Sequence, residues 1–303
     1  MKGATRRTLL KKHQDRWGLL FAVPALGFFA VFSFYPIGNA LYTSLFNKQI
    51  LSLAPPDFIG LENYSYLLAS PDFWNSIRAT AVFTFGTFTA LLLTSLLLSA
   101  FLSGLGRGGK FLQLAYYSPA VLSSVVAATI WLLIFDPRGL ANQWINSLLS
   151  TPGVDHDWFT NPVMVQISTM LVYFWKYIGY FVILCLAGMA SIPPGIYEAA
   201  RMDGAGRWTS YWRITFPLLR PTVVLVSIMS MLQCLKTFST QYLFTHSGAP
   251  QAPINVITLN IYNTGIRDHR IGRASAMSII LLIIMVVLTW VQLRSTRSEE
   301  VSY

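Results

Sequence analysis

Residues 191–221 read SIPPGIYEAARMDGAGRWTSYWRITFPLLRP and form a polar, arginine-bearing stretch between two apolar runs. Proline is tolerated at the first position of a helix, so Pro193 and Pro194 predict a helix start. Gly204 interrupts that helix. A second helical run follows and is predicted to stop at Pro217, because proline lacks the N–H that would continue the helix. The stretch therefore predicts a short helix, a glycine turn and a second short helix that could present a docking surface.

Composition places the chain among membrane proteins. Of its 303 residues, 54% are hydrophobic and 11% are charged, whereas an average soluble domain has about 25% charged residues. The net charge of +10 does not indicate a nucleic-acid partner, because the basic residues lie between apolar runs and not on one solvated face.

Six stretches are long and apolar enough to cross a membrane, which takes about 20 residues. The predicted spans are residues 17–46, 79–105, 111–135, 163–188, 221–243 and 274–293. They leave a basic tail at residues 1–16 and a second tail at 294–303. The predicted fold is therefore an all-α polytopic membrane protein whose helix–turn–helix at 191–221 joins the fourth and fifth spans.

Lysine and arginine are unevenly distributed between the two sides of these spans. One side carries Lys2, Arg6, Arg7, Lys11, Lys12, Arg16, Arg107, Lys110, Arg201, Arg207, Arg213, Arg220, Arg294 and Arg297. The other carries Lys48, Arg78, Arg138, Arg267, Arg270 and Arg273. Because cytoplasmic loops carry the excess of basic residues, both termini and residues 191–221 are predicted to be cytoplasmic.

The motifs of this stretch resemble the cytoplasmic coupling loop of bacterial ABC importer permeases. The matching positions are Glu198-Ala199-Ala200, Asp203-Gly204-Ala205, Trp212-Arg213-Ile214, Phe216-Pro217 and Pro221. Residues 58–64 (FIGLENY) resemble a segment found after the first span in the carbohydrate branch of these permeases. The resemblance, to the type I permeases for maltose or glycerol 3-phosphate, thus covers nearly the whole chain.

The resemblance carries expectations about partners and activity. The loop would fit a cleft on an ABC ATPase subunit, through Glu198, Ala199, Ala200, Asp203, Gly204, Ile214 and Pro217. ATP and Mg²⁺ would bind that ATPase, so this chain would hold no cofactor and would not be an enzyme. A second permease, usually a different related chain, and a periplasmic or lipid-anchored solute-binding protein would complete the importer in the cytoplasmic membrane of a bacterium.

Two lysines inside predicted spans indicate where the solute could pass. Lys176 and Lys236 lie 13 and 15 residues into their spans, and a lysine at such depth costs about 2.5 to 3.5 kcal/mol unless it faces a cavity or a partner. Near Lys236, polar residues recur every three or four positions and so share one helix face. They include Ser230, Gln233, Thr237 and Gln241. Such a stripe can line a water-filled path or can hold helices together by hydrogen bonds, and the path is the favoured interpretation.

The class of solute is predicted less directly. Where many relatives carry an aromatic–Asp pair, this chain has Phe238-Ser239, so an acid is absent next to Lys236. This difference favours an anionic solute such as glycerol 3-phosphate or a glycerophosphodiester over a neutral di- or oligosaccharide, which is the alternative. An ion-coupled secondary transporter is less favoured, because no Asp or Glu falls inside a predicted span and no internal repeat is visible.

Other motifs carry no chemistry. Gly104, Gly109 and Lys110 match part of a phosphate-binding loop, but Phe111 replaces the Ser or Thr that would bind magnesium. The triplet at residues 155–157, Asp-His-Asp, has adjacent residues that cannot easily converge on one ion. No metal site, catalytic set or disulfide framework is predicted.

Overall fold

The computed structural model describes residues 18 and 20–297. The predicted tail at residues 1–16 and the last residues of the second tail, 298–303, lie outside the described residues. The described part of the chain is helical, and its β-structure is limited to an isolated bridge between Phe46 and Phe58.

The helices are numbered here in chain order. They are α1 Leu20–Ser44, α2 Glu62–Ala69, α3 Pro71–Ser103, α4 Gly106–Val121, α5 Ser124–Ile134, α6 Leu140–Leu149, α7 Pro162–Ala190, α8 Pro194–Met202, α9 Arg207–Ser210, α10 Phe216–Leu218, α11 Arg220–Leu235, α12 Ser239–His246, α13 Gln251–Ile254, α14 Ile257–Tyr262 and α15 Ile271–Arg297. Three π-helical turns occur among the described residues, at Ala30–Phe34 inside α1, Tyr211–Thr215 after α9 and Asn263–Arg267 after α14.

Five of these elements are long and apolar enough to cross a membrane, and a bent pair makes a sixth. They are α1, α3, α7, α11 with α12, and α15, together with the pair α4 and α5. The predicted all-α polytopic fold, with a helix–turn–helix between the fourth and fifth spans, is confirmed.

The third span differs from its prediction as one helix over residues 111–135. The structure has two helices there that meet at an angle of 100°. Pro119 lacks the N–H that would hold the end of α4. Ser123 then caps α5 by accepting a hydrogen bond from the backbone N–H of Val126 at 3.2 Å. A proline followed four residues later by a capping serine therefore ends one helix and starts the next.

Two compact units divide the chain. The first combines the described part of Met1–Leu67 with Asn263–Ile280. Within it, the side-chain amide of Asn63 donates to the carbonyls of Ser44 at 2.7 Å and Phe46 at 3.0 Å, which fixes the chain after α1. The guanidinium of Arg273 lies 3.5 Å from the centre of the Tyr66 ring.

The second unit combines Leu68–Tyr262 with the described part of Leu281–Tyr303. Its core lies between α3, α7 and α11, where Leu91, Phe181, Val182 and Val226 are fully buried. Other faces of the same helices expose large apolar side chains. Examples are Phe85, Leu93, Leu97, Ile167, Leu171 and Leu225. The buried seam also contains small hydroxyl side chains, among them Ser95, Ser99 and Ser230, and such small residues between helices with apolar outer faces are typical of a helix bundle in lipid.

Candidate functional site

Residues 191–221, termed the coupling segment below, contain the predicted helix, turn and helix. Helix α8 begins at Pro194, as predicted, and Pro193 occupies the position just before it. Gly204 lies at the end of the turn that follows α8, and its φ is +76°. Residues other than glycine are strained in this conformation. The backbone N–H of Ala205 donates to the carbonyl of Ala200 at 2.9 Å and closes this turn.

The predicted helix stop at Pro217 is wrong. After α9 the chain makes a π-turn, Tyr211–Thr215, in which the N–H of Phe216 reaches back to the carbonyl of Tyr211. Pro217 then lies in the first turn of α10, where a missing N–H costs little. The chain therefore continues almost directly into α11, and the coupling segment is joined to the fifth span by helix.

Two hydrogen bonds hold the coupling segment together and to the bundle. The hydroxyls of Tyr197 and Thr215 lie 3.2 Å apart and connect α8 to the π-turn. The hydroxyl of Tyr211 donates to the carbonyl of Leu96, in α3, at 3.1 Å. Burial raises the pKa of the Tyr211 phenol, so this group keeps its proton at neutral pH and remains a donor.

The predicted coupling residues do not all face outward. Glu198, Ala199, Asp203, Gly204 and Pro217 are exposed, Ile214 is half-buried, and Ala200 is buried. Large apolar side chains other than the seven predicted coupling residues are also exposed. They are Met202 at 89%, Trp208 at 67% and Trp212 at 51%, with Ile196 and Leu218 less so. The segment therefore exposes two carboxylates together with several large apolar side chains, a combination typical of a protein-binding surface.

Lys176 lies inside the bundle and not on an open path. It is 7% exposed, and its Nζ is 3.4 Å from the hydroxyl of Tyr177 and 4.5 Å from the centre of that ring. The ammonium is thus held by a hydrogen bond and a cation–π contact.

Lys236 lies at a break in the fifth span. Helix α11 ends at Leu235 and α12 begins at Ser239, so the predicted continuous polar face is interrupted there. The break frees backbone carbonyls, and two of them accept hydrogen bonds from other helices. The hydroxyl of Tyr173 donates to Gln233 O at 2.6 Å, and the hydroxyl of Thr258 donates to Thr237 O.

The other residues of the predicted polar stripe are less exposed than Lys236. Ser230, Thr237 and Gln241 are buried. The Ser230 hydroxyl donates to the carbonyl of Val226 at 2.7 Å, and the Thr237 hydroxyl donates to Gln241 Oε1 at 2.9 Å. Both bonds join residues four apart, so they are local and do not connect one helix to another; the water-filled path and the helix-to-helix alternative both stay predictions. Gln233 is half-buried, and Lys236 is exposed.

Lys236 lines an open cavity of about 470 Å³. The other lining residues are Leu232, Met285, Val286, Thr289, Trp290 and Leu293. The cavity is thus lined largely by apolar side chains, and its polar side chains are those of Lys236, Thr289 and Trp290. Such a lining suits an amphiphilic solute or a partner side chain of negative charge.

An aromatic cluster adjoins the break, and sequence reasoning missed it. Phe238 stacks on Tyr242 with ring centres 5.3 Å apart, Tyr262 lies 5.3 Å from each of them, and His246 lies 4.1 Å from Tyr242. The spacing of four residues from Phe238 to Tyr242 to His246 was the available signal, but Tyr262 comes from another helix. Aromatic faces of this kind can pack against the C–H faces of sugar rings.

The Asp-His-Asp triplet at residues 155–157 and the partial phosphate-binding motif both lie in ordinary structural contexts. Asp155 accepts a hydrogen bond from Asn142 at 2.9 Å, and His156 Nε2 lies 2.9 Å from Asn146 Oδ1. Within the described residues, no group of three or more His, Cys, Asp or Glu side chains lies together. Gly109 and Lys110 are part of helix α4 and form no loop.

Comparison with known proteins identifies relatives along the whole chain. The family model described as binding-protein-dependent transport system inner membrane component matches residues 96–298. The lactose transport system permease protein of Rhizobium radiobacter is 29% identical over 98% of this chain and 99% of its own length. An arabinooligosaccharides transport system permease protein of Bacillus subtilis is 30% identical, covering 92% of this chain and 88% of that protein. An sn-glycerol-3-phosphate transport system permease protein of Agrobacterium fabrum is 28% identical, covering 91% and 92%.

A solved structure has the same fold. The crystal structure of a bacterial alginate ABC transporter in complex with an alginate pentasaccharide-bound periplasmic protein contains a chain that matches with a TM-score of 0.80 at 23% identity. The match covers 96% of this chain and 99% of the other.

Proposed function

Because the chain belongs to the family of binding-protein-dependent transport system inner membrane components, we propose that it is the permease subunit of an ATP-driven importer for a carbohydrate-class solute. Relatives of almost equal length are named as permeases for lactose, arabinooligosaccharides and glycerol 3-phosphate. A permease subunit of this kind is not itself an enzyme. The family assignment gives no support to the ion-coupled secondary transporter.

The observation that carries the proposal is the surface of the coupling segment. Met202, Trp208 and Trp212 expose large apolar areas on the same segment that exposes the carboxylates of Glu198 and Asp203. Such a patch would be unfavourable in water unless a protein covers it. An ABC ATPase subunit is the proposed occupant, and ATP and Mg²⁺ belong to that subunit.

The proposed orientation follows the distribution of basic residues. The coupling segment and both termini face the cytoplasm, since that side carries the excess of lysine and arginine. The protein is then a multi-pass component of the bacterial cytoplasmic membrane. A periplasmic or lipid-anchored solute-binding protein delivers solute from the other side.

The proposed mechanism uses rigid connections from the coupling segment. The hydrogen bond from Tyr211 to Leu96 joins the segment to α3, and the nearly continuous helix through Pro217 joins it to α11. Movement of the ATPase pair is therefore passed to two spans as rigid-body motion, which opens the path alternately to each side. One such chain forms half of a path, so a second permease subunit, usually a related but different chain, completes it.

Two classes of solute have structural support. The ammonium of Lys236 at the open cavity favours a phosphorylated solute such as glycerol 3-phosphate or a glycerophosphodiester. The aromatic cluster of Phe238, Tyr242 and Tyr262 favours the second candidate, a neutral di- or oligosaccharide. The buried position of Lys176 removes it from both arguments.

Reconstitution of the complete complex in lipid vesicles tests this function. The ATPase rate is measured while binding protein is added empty, loaded with glycerol 3-phosphate or a glycerophosphodiester, or loaded with a maltose-like sugar. Stimulation by phosphorylated solutes alone supports the first class, and stimulation by neutral sugars alone supports the second. Absence of any stimulation by loaded binding proteins would count against an importer for this class of solute.

A further inference from the structure

Helix α6, Leu140–Leu149, has an unusual arrangement of polar and apolar side chains. Asn142 points inward and Asn146 is half-buried. Asn142 is 2% exposed, and its amide donates to Pro137 O at 3.0 Å and to Asp155 Oδ1 at 2.9 Å. Asn142 Oδ1 accepts from the indole N–H of Trp158 at 2.7 Å. The amide of Asn146 donates to Val154 O at 2.8 Å. The inward face of α6 is therefore fixed by hydrogen bonds to the segment that follows it.

The outward face of α6 is divided into an apolar and a polar half. Leu140, Trp144 and Leu148 recur every four residues and so lie together, and Trp144 and Leu148 are 77% and 83% exposed. Gln143 and Ser147, which are also exposed, lie beside them on the same outward face. A helix surrounded by water would not expose the apolar half, and a helix surrounded by hydrocarbon would not expose the polar half.

The start of α6 is tied to the end of a span. Gly139 approaches the preceding helix so closely that a Cβ there would lie 2.5 Å from the carbonyl oxygens of Leu133 and Ile134. Leu133 itself is exposed and apolar, as expected of a side chain that faces lipid. Helix α6 therefore begins where the third span leaves the hydrocarbon region.

After α6, the chain returns to the end of the third span before α7 begins. Trp158 stacks on Phe135 with ring centres 5.0 Å apart, and α7 exposes apolar side chains from Val163 onward. Helix α6 contains no charged residue, whereas Asp136 and Arg138 precede it and Asp155 and Asp157 follow it. Charges on both flanks and a tryptophan on the apolar face are typical of a helix at the membrane–water boundary.

We propose that α6 lies in the plane of the membrane interface, with Leu140, Trp144 and Leu148 inserted among lipid chains and Gln143 and Ser147 in water. The partner of this surface is the lipid bilayer, in the leaflet opposite the coupling segment. The helix anchors the connection between the third and fourth spans, and this role does not depend on which solute the protein carries.

Spin-label accessibility tests the proposal at two adjacent residues. The full-length chain, in its complex and in vesicles of phosphatidylethanolamine and phosphatidylglycerol, carries either Leu148→Cys or the matched control Ser147→Cys. Both native cysteines, Cys185 and Cys234, are buried and are replaced by alanine. Collision with oxygen, which concentrates in lipid, is compared with collision with a water-soluble nickel complex.

The proposal predicts a severalfold higher ratio of oxygen to nickel accessibility at position 148 than at position 147. Equal access of nickel to both positions would show that the apolar half faces water. Protection of position 148 from both reagents would show that a protein covers it. Either of these two results overturns the proposal, and Leu140→Cys, on the same face, must agree with Leu148→Cys.

Discussion

At the scale of single residues, the two intramembrane lysines have different surroundings. Lys176 is buried against Tyr177, whereas Lys236 is exposed at a cavity. Two lysines at similar positions along their predicted spans can therefore differ in their access to a solute.

We expect Lys236→Ala to lower the uptake of a phosphorylated solute severalfold and to leave a neutral sugar almost unchanged, because the substitution removes the ammonium from the cavity. Lys236→Arg keeps a positive charge and should therefore retain most of the uptake of the phosphorylated solute. Uptake by proteoliposomes of both solutes measures the effect. An equal loss for charged and neutral solutes would remove the argument for anion recognition.

The hydroxyl of Tyr173 supports the break in the fifth span. Tyr173→Phe keeps the ring and deletes the hydrogen bond to Gln233 O, so we expect a loss of about 1 kcal/mol in the free energy of unfolding. Thermal unfolding in detergent gives the value, with Tyr116→Phe, at a tyrosine 39% exposed, as the control. A Tyr173→Phe protein as stable as the control would mean that this bond does not stabilise the break.

At the scale of elements, the coupling segment depends on one backbone conformation. Gly204 has φ of +76°, which the proline ring forbids. We expect Gly204→Pro to leave membrane insertion intact and to abolish stimulation of the ATPase by loaded binding protein, since the turn between α8 and α9 changes and the spans do not.

A second position provides the matched control. Gly206 has φ of −69°, so Gly206→Ala is compatible with the same turn and should retain stimulation. Glu198→Arg, which reverses a surface charge on α8, should uncouple the complex as Gly204→Pro does. Normal transport by Gly204→Pro in an assembled complex would contradict the assigned role of the segment.

At the scale of the whole molecule, the predicted dependence on a separate ATPase can be tested in cells. Uptake should be lost on depletion of ATP and should persist when an uncoupler removes the proton gradient. Labelled solute uptake under both conditions, with a known proton-coupled transporter as reference, distinguishes the two energy sources. The opposite pattern would indicate ion coupling.

Several features of the protein could be predicted from the sequence alone. Hydropathy and length predict the six spans, and the motifs of residues 191–221 predict the helix–turn–helix, because both signals depend on residues close together in the chain. Proline placement predicts the start of α8 in the same way. The end at Pro217 was predicted wrongly, because the π-turn before it changes which N–H groups are needed.

Tertiary structure alone decided which polar groups are accessible. The break at Lys236 depends on partners from other helices, because the hydroxyls of Tyr173 and Thr258 hold the carbonyls of Gln233 and Thr237. Tyr173 lies 60 residues from the carbonyl that it holds, and Tyr211 lies 115 residues from Leu96. The inward position of Asn142 in α6 depends likewise on Trp158 and Asp155. Periodicity along one helix shows which side chains share a face, but only packing supplies the donors and acceptors that determine which way that face points.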